Sequence, residues 1–275
     1  MSDPIQQFRS ALAGRNIIPP DDLIADGRIH RCDVEGKGGK GDAAYLLHLD
    51  SVPAGGFENH RDGLGWENWR ADIGRRLTPS EEAAQWEKIE AARRIRDDED
   101  KRRKTEARDK ATRLWDAAQP CESHSYILAK GLSSAYGARQ HDDKLLIPMR
   151  DEVGTLHSLQ FIDGDSNKRF LYGGRVRGCY FSIGKPDSVL CIAEGFATGA
   201  SIYEATGHAV AVAFDAGNLH SVAEALRKKY PQVKIIICAD DDYQTQGNPG
   251  LTKAKEAARA IGGLLAVPDF GRARE

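Results

Sequence analysis

The final third of the chain holds apolar runs that stop abruptly at acidic residues, and this pattern constrains the fold more than any other feature. The sharpest run, Ile235-Ile236-Ile237-Cys238-Ala239, ends at Asp240-Asp241-Asp242. A second, Val189-Leu190-Cys191-Ile192-Ala193, ends at Glu194-Gly195. Short runs without polar interruption read as strands covered on both faces of a parallel sheet. The segments around them alternate in type. Helix Phe196 to Ala205, strand Ala209 to Phe214 and helix Leu219 to Tyr230 come between the two runs. A loop to Asn248-Pro249-Gly250, a helix through Ile261 and strand Leu264 to Val267 follow. Leu219, Val222, Ala223, Leu226 and Tyr230 share one helical face, and Gly262-Gly263 stops the last helix. Alternating strand and helix predicts a mainly parallel sheet with helices packed on it, which holds ligands at the carboxyl ends of its strands.

If the two acid-tipped strands are neighbours, Glu194, Asp240 and Asp242 meet. A lone Asp after a strand is usually a turn former or a helix cap. Three carboxylates gathered with no Lys or Arg between them repel one another, and a divalent cation such as Mg²⁺ relieves that repulsion. The expectation is a magnesium (or manganese) site on these three residues. Asp241, Asp215 and Asn218 are further candidates for the same cleft, and Asn218 serves equally well as an N-cap for the helix that follows it.

Composition narrows the class. With 275 residues, 40% of them apolar, the chain can bury a sizeable core in one or two domains. It has no apolar stretch near the roughly 20 residues that span a bilayer and no basic-then-apolar leader, so the cytoplasm is the expected compartment and no membrane is expected as a partner. The five cysteines are scattered without a CxxC pair, which predicts neither disulfides nor zinc. Cys191 and Cys238 sit inside apolar strands and read as core. A net charge of −2 leaves nucleic-acid binding to local patches.

Four segments are expected. Residues 1–75 read as a small β-rich module, with strands at Arg28 to Arg31 and Ala43 to Leu49 and a turn at Pro53-Ala54-Gly55-Gly56. The glycine cluster from Gly36 to Gly41 lacks the Gly-Lys-Ser/Thr ending of a phosphate loop. Residues 76–118 read as a charged helical linker with Ser80 as N-cap, in which Arg93 to Lys110 mixes both signs and favours a solvated spacer over a nucleic-acid contact. Residues 119–187 carry a short helix begun by His124 and three strand signals, Lys144 to Met149, Leu156 to Ile162 and Lys168 to Leu171, an antiparallel subdomain with the basic pair Lys168-Arg169. Residues 188–275 hold the parallel sheet. No Ser, Cys or His has neighbours that suggest nucleophilic or acid-base work.

Glu194-Gly195 on one strand and Asp240-Asp241-Asp242 on a later one resemble the Toprim domain of primases, topoisomerases and some nucleases. Leu146-Ile147-Pro148-Met149, Gly154, Leu159-Gln160-Phe161, Lys168-Arg169-Phe170-Leu171 and Gly173-Gly174 resemble the subdomain that precedes it in DnaG-type primases. Glu194-Gly195-Phe196-Ala197-Thr198 and Ala213-Phe214-Asp215-Ala216-Gly217-Asn218-Leu219 bring the resemblance closer to the TraC-like primases of conjugative plasmids and phages. It covers about residues 111 to 268, and residues 20 to 70 more loosely. The resemblance implies an α/β fold, a Toprim sheet with an upstream antiparallel β subdomain. It implies a DNA primase that joins nucleoside triphosphates on single-stranded DNA by Mg²⁺-dependent nucleotidyl transfer, working with a separate replicative helicase. Glu194, Asp240 and Asp242 would be the catalytic, metal-binding residues, and Lys168, Arg169, Arg175 and Arg177 would grip template or triphosphate. A zinc module and a Walker A motif are missing, and the chain stops about where relatives often continue. The rival readings are a Toprim nuclease and a non-catalytic DNA-binding accessory protein.

Overall fold

The computed structural model describes residues 3–36, 39, 41–50, 52–241, 245 and 248–268; for Gln85, Ala92 and Arg96 it describes the backbone alone. Two units divide the chain, Met1–Glu99 and Asp100–Glu275.

In the first unit, helix α1 (Pro4–Gly14) is capped by Asp3, whose side chain accepts from the Ile5 amide at 3.1 Å. It lies on an antiparallel sheet of β1 (His30–Cys32), β2 (Ala43–His48), β3 (Ala54–Asn59) and β4 (Glu67–Arg70), in that order. Phe8 and Leu12 bury against Tyr45, Leu47 and Phe57, with the Phe8 and Trp69 rings 4.8 Å apart. The turn expected at Pro53-Ala54-Gly55-Gly56 is instead the start of β3. The two glycines are there for close approach: a Cβ on Gly55 would stand 2.1 Å from Leu46 O, and one on Gly56 2.4 Å from Trp66 Nε1. The glycine loop after β1 wraps a carboxylate, since Asp33 accepts from the amides of Gly39 at 2.6 Å and Gly41 at 2.9 Å. Those amides are taken by the protein's own anion.

Helix α2 (Pro79–Ala117) starts at Thr78 rather than at Ser80. Thr78 Oγ1 accepts from the Glu81 amide at 3.3 Å and Glu81 Oε2 accepts from the Thr78 amide at 2.9 Å, a reciprocal capping box with Pro79 in the first turn. The boundary between the units falls inside this helix. Most of its charged middle is exposed, but Ala107 and Ala111 are buried with Leu114, Trp115 and Ala118 against Leu146, Leu159 and Leu171.

Leu146 and Leu159 belong to a second antiparallel sheet, and Leu171 directly follows its last strand: β5 (Gln119–Pro120), β6 (Arg139–His141), β7 (Lys144–Arg150), β8 (Leu156–Ile162) and β9 (Lys168–Phe170). Helix α3 (Ser125–Ala129) precedes β6 and is capped by His124, whose Nδ1 accepts from the Tyr126 amide at 3.2 Å. The third sheet contains β10 (Phe181–Ile183), β11 (Val189–Ala193), β12 (Ala209–Val212), β13 (Lys234–Cys238) and β14 (Leu264–Ala266), in the order β10-β12-β11-β13-β14. All its pairings are parallel except that of β10 with β12. The two sheets are joined where Arg150 and Tyr180 exchange backbone bonds of 3.1 and 2.8 Å.

Helices α4 (Phe196–Thr206), α5 (Leu219–Lys229) and α6 (Pro249–Ile261) cover the parallel sheet, the first two separated by a short 3₁₀ turn at Ala216–Asn218. Period-two alternation sorts each strand between two cores. Cys191, Ala193, Val210 and Val212 face α4 and the apolar side of β7, whereas Leu190, Ile192, Ala209, Ala211, Ile235 and Ile237 face α5 and α6. Cys191 and Cys238 are thus core-lining, as read from the sequence. Burial pushes the thiols of Cys32 and Cys179 up to about 11, which removes them as nucleophiles at neutral pH.

Helix α4 approaches the sheet through Gly199, where an added Cβ would meet Val212 Cγ2 at 2.7 Å and Val210 Cγ1 at 3.3 Å. Gly199→Ala should destabilise by about 1–2 kcal/mol despite its better helix propensity, because both valines are locked in the core. Urea unfolding measures this as a lower midpoint at unchanged slope, and a midpoint equal to the parent's would contradict the close approach.

Candidate functional site

Level pairing sets the site. Ala193 is in register with Val212 on one side and Cys238 on the other, so three strand tips end at the same height. Glu194 follows β11 directly, and its Oε2 is shielded from solvent. Past β13, Ala239 still donates to Ala266 O at 2.9 Å, and Asp240 is the first residue beyond that bond. Asp242 lies outside the described residues. Among the described residues no three His, Cys, Asp or Glu side chains gather as a metal cluster. Asp241 has a local role: its Oδ1 accepts from Asn248 Nδ2 at 2.7 Å, while Asn248, at φ +41°, caps α6 by accepting from the Leu251 amide at 3.3 Å.

One cation of the upstream sheet lies within electrostatic reach of both carboxylates. Lys168, at the start of β9, feels the negative charge of both Asp240 and Glu194, which favours its charged form. Burial of the ammonium end and the nearby Lys130 act more strongly the other way and bring its pKa below the ordinary lysine value. Its Nζ lies 5.9 Å from the centre of the buried Tyr126 ring and 4.0 Å from where a Cβ on Gly195 would stand. Two residues on, Phe170 meets Phe214 edge to face at 6.3 Å. Phe214 holds φ +74°, a strained conformation for an aromatic residue, at the tip of β12. Alternation sends Arg169 to the opposite face of β9, where it pairs in register with Phe161 on the α2 side. The basic pair is therefore split: Lys168 joins the carboxylates and Arg169 does not.

Asp215 and Asn218 follow β12. Asp215 Oδ1 accepts from the Asn218 amide at 2.9 Å, and burial raises its pKa. Asn218 lines a cleft with Asp215 and Arg177 and is not the side-chain cap of α5. It is 4% exposed, accepts from the Gly178 amide at 2.7 Å and donates to Cys179 O at 2.9 Å and Ala213 O at 2.8 Å. It thereby locks the tip of β12 to the segment that carries Arg175 and Arg177. Arg175 Nε donates to Arg177 O at 2.9 Å, and Arg177 Nε to Ser221 Oγ at 3.2 Å. These two arginines border clefts beside α5, and Arg177 lines one of them together with Asp215. Sequence reasoning missed Tyr126 and Lys130, because nothing local ties α3 to the strand tips.

Residues 189–270 match the family model described as Toprim domain. Over 283 aligned residues the chain is 38% identical to a protein named DNA primase TraC from Escherichia coli, an alignment that covers 97% of this chain and 26% of the relative. A second Escherichia coli protein of that name is 36% identical, with 98% of this chain and 20% of the relative covered. The chain thus spans about a quarter of the length of these relatives, or less. Among solved structures, the primase fragment of the bacteriophage T7 primase-helicase protein aligns with 56% of this chain and 71% of its own at 15% identity and a TM-score of 0.40. The DnaG primase catalytic domain bound to ssDNA aligns with 51% and 49% at 12% identity and a TM-score of 0.36. No described helix is long and apolar enough to cross a membrane.

Asn218 carries the test of this geometry. Asn218→Ala leaves one buried amide and two buried carbonyls without their partner, a loss of about 3 kcal/mol or more at roughly 1–3 kcal/mol per stranded group. Chemical denaturation measures it; a loss below about 1 kcal/mol would show that the three bonds do not hold the loop to the strand.

Proposed function

With residues 189–270 forming a Toprim domain, we propose that this chain is a DNA primase that joins nucleoside triphosphates along single-stranded DNA. The observation that carries the reading is the pair Glu194 and Asp240 on level tips of neighbouring parallel strands, with Lys168 of the upstream sheet beside them. The similarity to the proteins named DNA primase TraC, which runs through nearly all of the chain, supports it. A separately encoded helicase that exposes the template is the partner this reading implies.

The donor set fits a hard cation. Carboxylate oxygens suit Mg²⁺ or Mn²⁺, and two described carboxylates leave most of an octahedral shell to water, to substrate phosphates and to Asp242 in the same acidic run. In this reading Glu194, Asp240 and Asp242 hold the ion. When bound, such an ion lowers the pKa of the attacking 3′-hydroxyl and offsets charge on the leaving pyrophosphate. The chain's own residues do the rest. Glu194 is held by β11 and the first turn of α4, so its position is set by backbone rather than by a flexible loop. Lys168 balances the two carboxylates and presents an ammonium to the triphosphate. Arg175 and Arg177 are placed for phosphate oxygens, which planar guanidinium groups bind two at a time. Arg169, on the other face of β9, is left to contact strand away from the carboxylates.

The test is incubation with single-stranded DNA, labelled nucleotides and Mg²⁺, beside an Asp240→Ala, Asp242→Ala double variant. The parent should make short template-dependent products, and the variant at least about 100-fold fewer, the scale set by loss of charge stabilisation worth about 3 kcal/mol. Degraded template would replace the polymerising reading with a nuclease, and inertness of both proteins would replace it with an accessory role.

A further inference from the structure

The basic side chains of this protein fall into two kinds, those matched with a carboxylate and those held by neutral acceptors. Arg15 meets Asp62 and Glu67 at 2.7 Å, Arg75 meets Glu81 at 2.6 Å, and Arg103 and Lys104 meet Asp100 at 2.5 Å. Arg139, Arg150 and Arg227 rest on backbone carbonyls instead, and one surface gathers several cations of this second kind. A cleft of about 800 Å³ is lined by Lys104, Arg175, Arg177, Lys228 and Lys229; Lys104 is matched with Asp100, and no carboxylate among the described residues pairs with any of the other four. Neutral acceptors position three of them. Arg175 Nε is on Arg177 O, Arg177 Nε on Ser221 Oγ, and Lys229 Nζ on Glu152 O at 2.6 Å. These bonds fix the side chains without offsetting their charge and leave the terminal guanidinium nitrogens open. The acids on the same wall are Glu152 and Glu224, the latter 3.6 Å from His220, so two carboxylates share the wall with four cations that have no carboxylate partner of their own. In a chain with a net charge of −2 this concentration of uncompensated positive charge is local.

The shape says what kind of anion fits. The cleft shares Arg177 and Ser221 with an adjoining one of about 560 Å³ that reaches Asp215, at the tip of β12 and next to the strand that ends at Glu194. A continuous furrow thus leads from the carboxyl edge of the sheet to the last turn of α5. A small anion would need convergent donors; here the cations are strung along a path, as phosphates are along a strand.

We propose that this furrow is a track for the phosphodiester backbone of the single-stranded template, with Lys228 and Lys229 at its far end. The choice of a single strand among polyanions rests on the polymerase reading above. Lys228 and Lys229 contact phosphates and carry no sequence information, so they hold the template in place as its copied end sits at the strand tips. Their place in the last turn of α5 suits the charge, since a helix carboxyl terminus favours cations.

Fluorescence anisotropy with labelled oligo-dT, without nucleotides or divalent ions, between about 50 and 200 mM salt, tests the track. Four phosphate contacts give the parent a slope of about −3 in log affinity against log salt, at about 0.7 per contact for single strands. Lys228→Gln with Lys229→Gln should flatten that slope by about 1.4 and weaken binding about tenfold at the lowest salt, while Lys228→Arg with Lys229→Arg restores both. Circular dichroism confirms that α5 remains folded in each variant. Parent-like affinity and slope in the glutamine variant would overturn the track. So would capture of polyglutamate in preference to oligo-dT. The titration involves no catalysis: absence of priming with the expected slope change would remove the polymerising reading and keep the track, and priming with an unchanged slope would do the reverse.

Discussion

The parallel pairing of β11 with both β12 and β13 is the constraint on which the rest of the structure depends. Because Ala193 is level with Val212 and Cys238, the chain leaves three strands at one height and carries Glu194, Asp215 and Asp240 to one edge. A slip of one residue would turn every side chain of a strand to the other face. The double core forbids that slip: Leu190 and Ile192 fill one face of β11, while Cys191 and Ala193 fill the other. Precision at the edge is therefore a by-product of packing in the middle.

The antiparallel sheet is equally part of the site. It is fixed to the parallel one by the backbone exchange between Arg150 and Tyr180 and by the shared core of β7 and α4. That docking delivers Lys168 to the two carboxylates and Phe170 to Phe214. The strained φ of Phe214 costs on the order of 1–3 kcal/mol and persists because the ring is buried and edge-on to Phe170. On the other side of Asp215, Asn218 satisfies three backbone groups at once and so holds the arginine-bearing segment against the same tip.

Much of this was legible in the chain of letters, for a physical reason. Helices α4, α5 and α6 and strands β11 to β14 carry their own signals, namely uninterrupted apolar runs, one-sided helical faces and glycine stops, and those signals place the acidic residues at strand ends. What was illegible depended on distant partners. Strand β10 has only three residues and gains its identity from β12, and β3 begins with glycines that read as a turn until Leu46 and Trp66 crowd them. Alternation within β9 could have separated Lys168 from Arg169, but which of the two faced the carboxylates was decided by how the two sheets dock. Asn218 offered a cap by rule, and its actual bonds reach back to residues whose position the local sequence does not encode.

Helix α2 belongs to two units at once. Its opening turn is built by Thr78 and Glu81 beside the amino-terminal sheet, and its closing turns supply Ala107, Ala111 and Leu114 to the underside of β7 and β8. Excising everything before Gln119 would strip the roof from Leu146, Leu159 and Leu171 and leave an oily, aggregation-prone surface. The smallest autonomous fragment that keeps the strand tips must therefore begin well upstream of the sheet it serves, inside the rod itself.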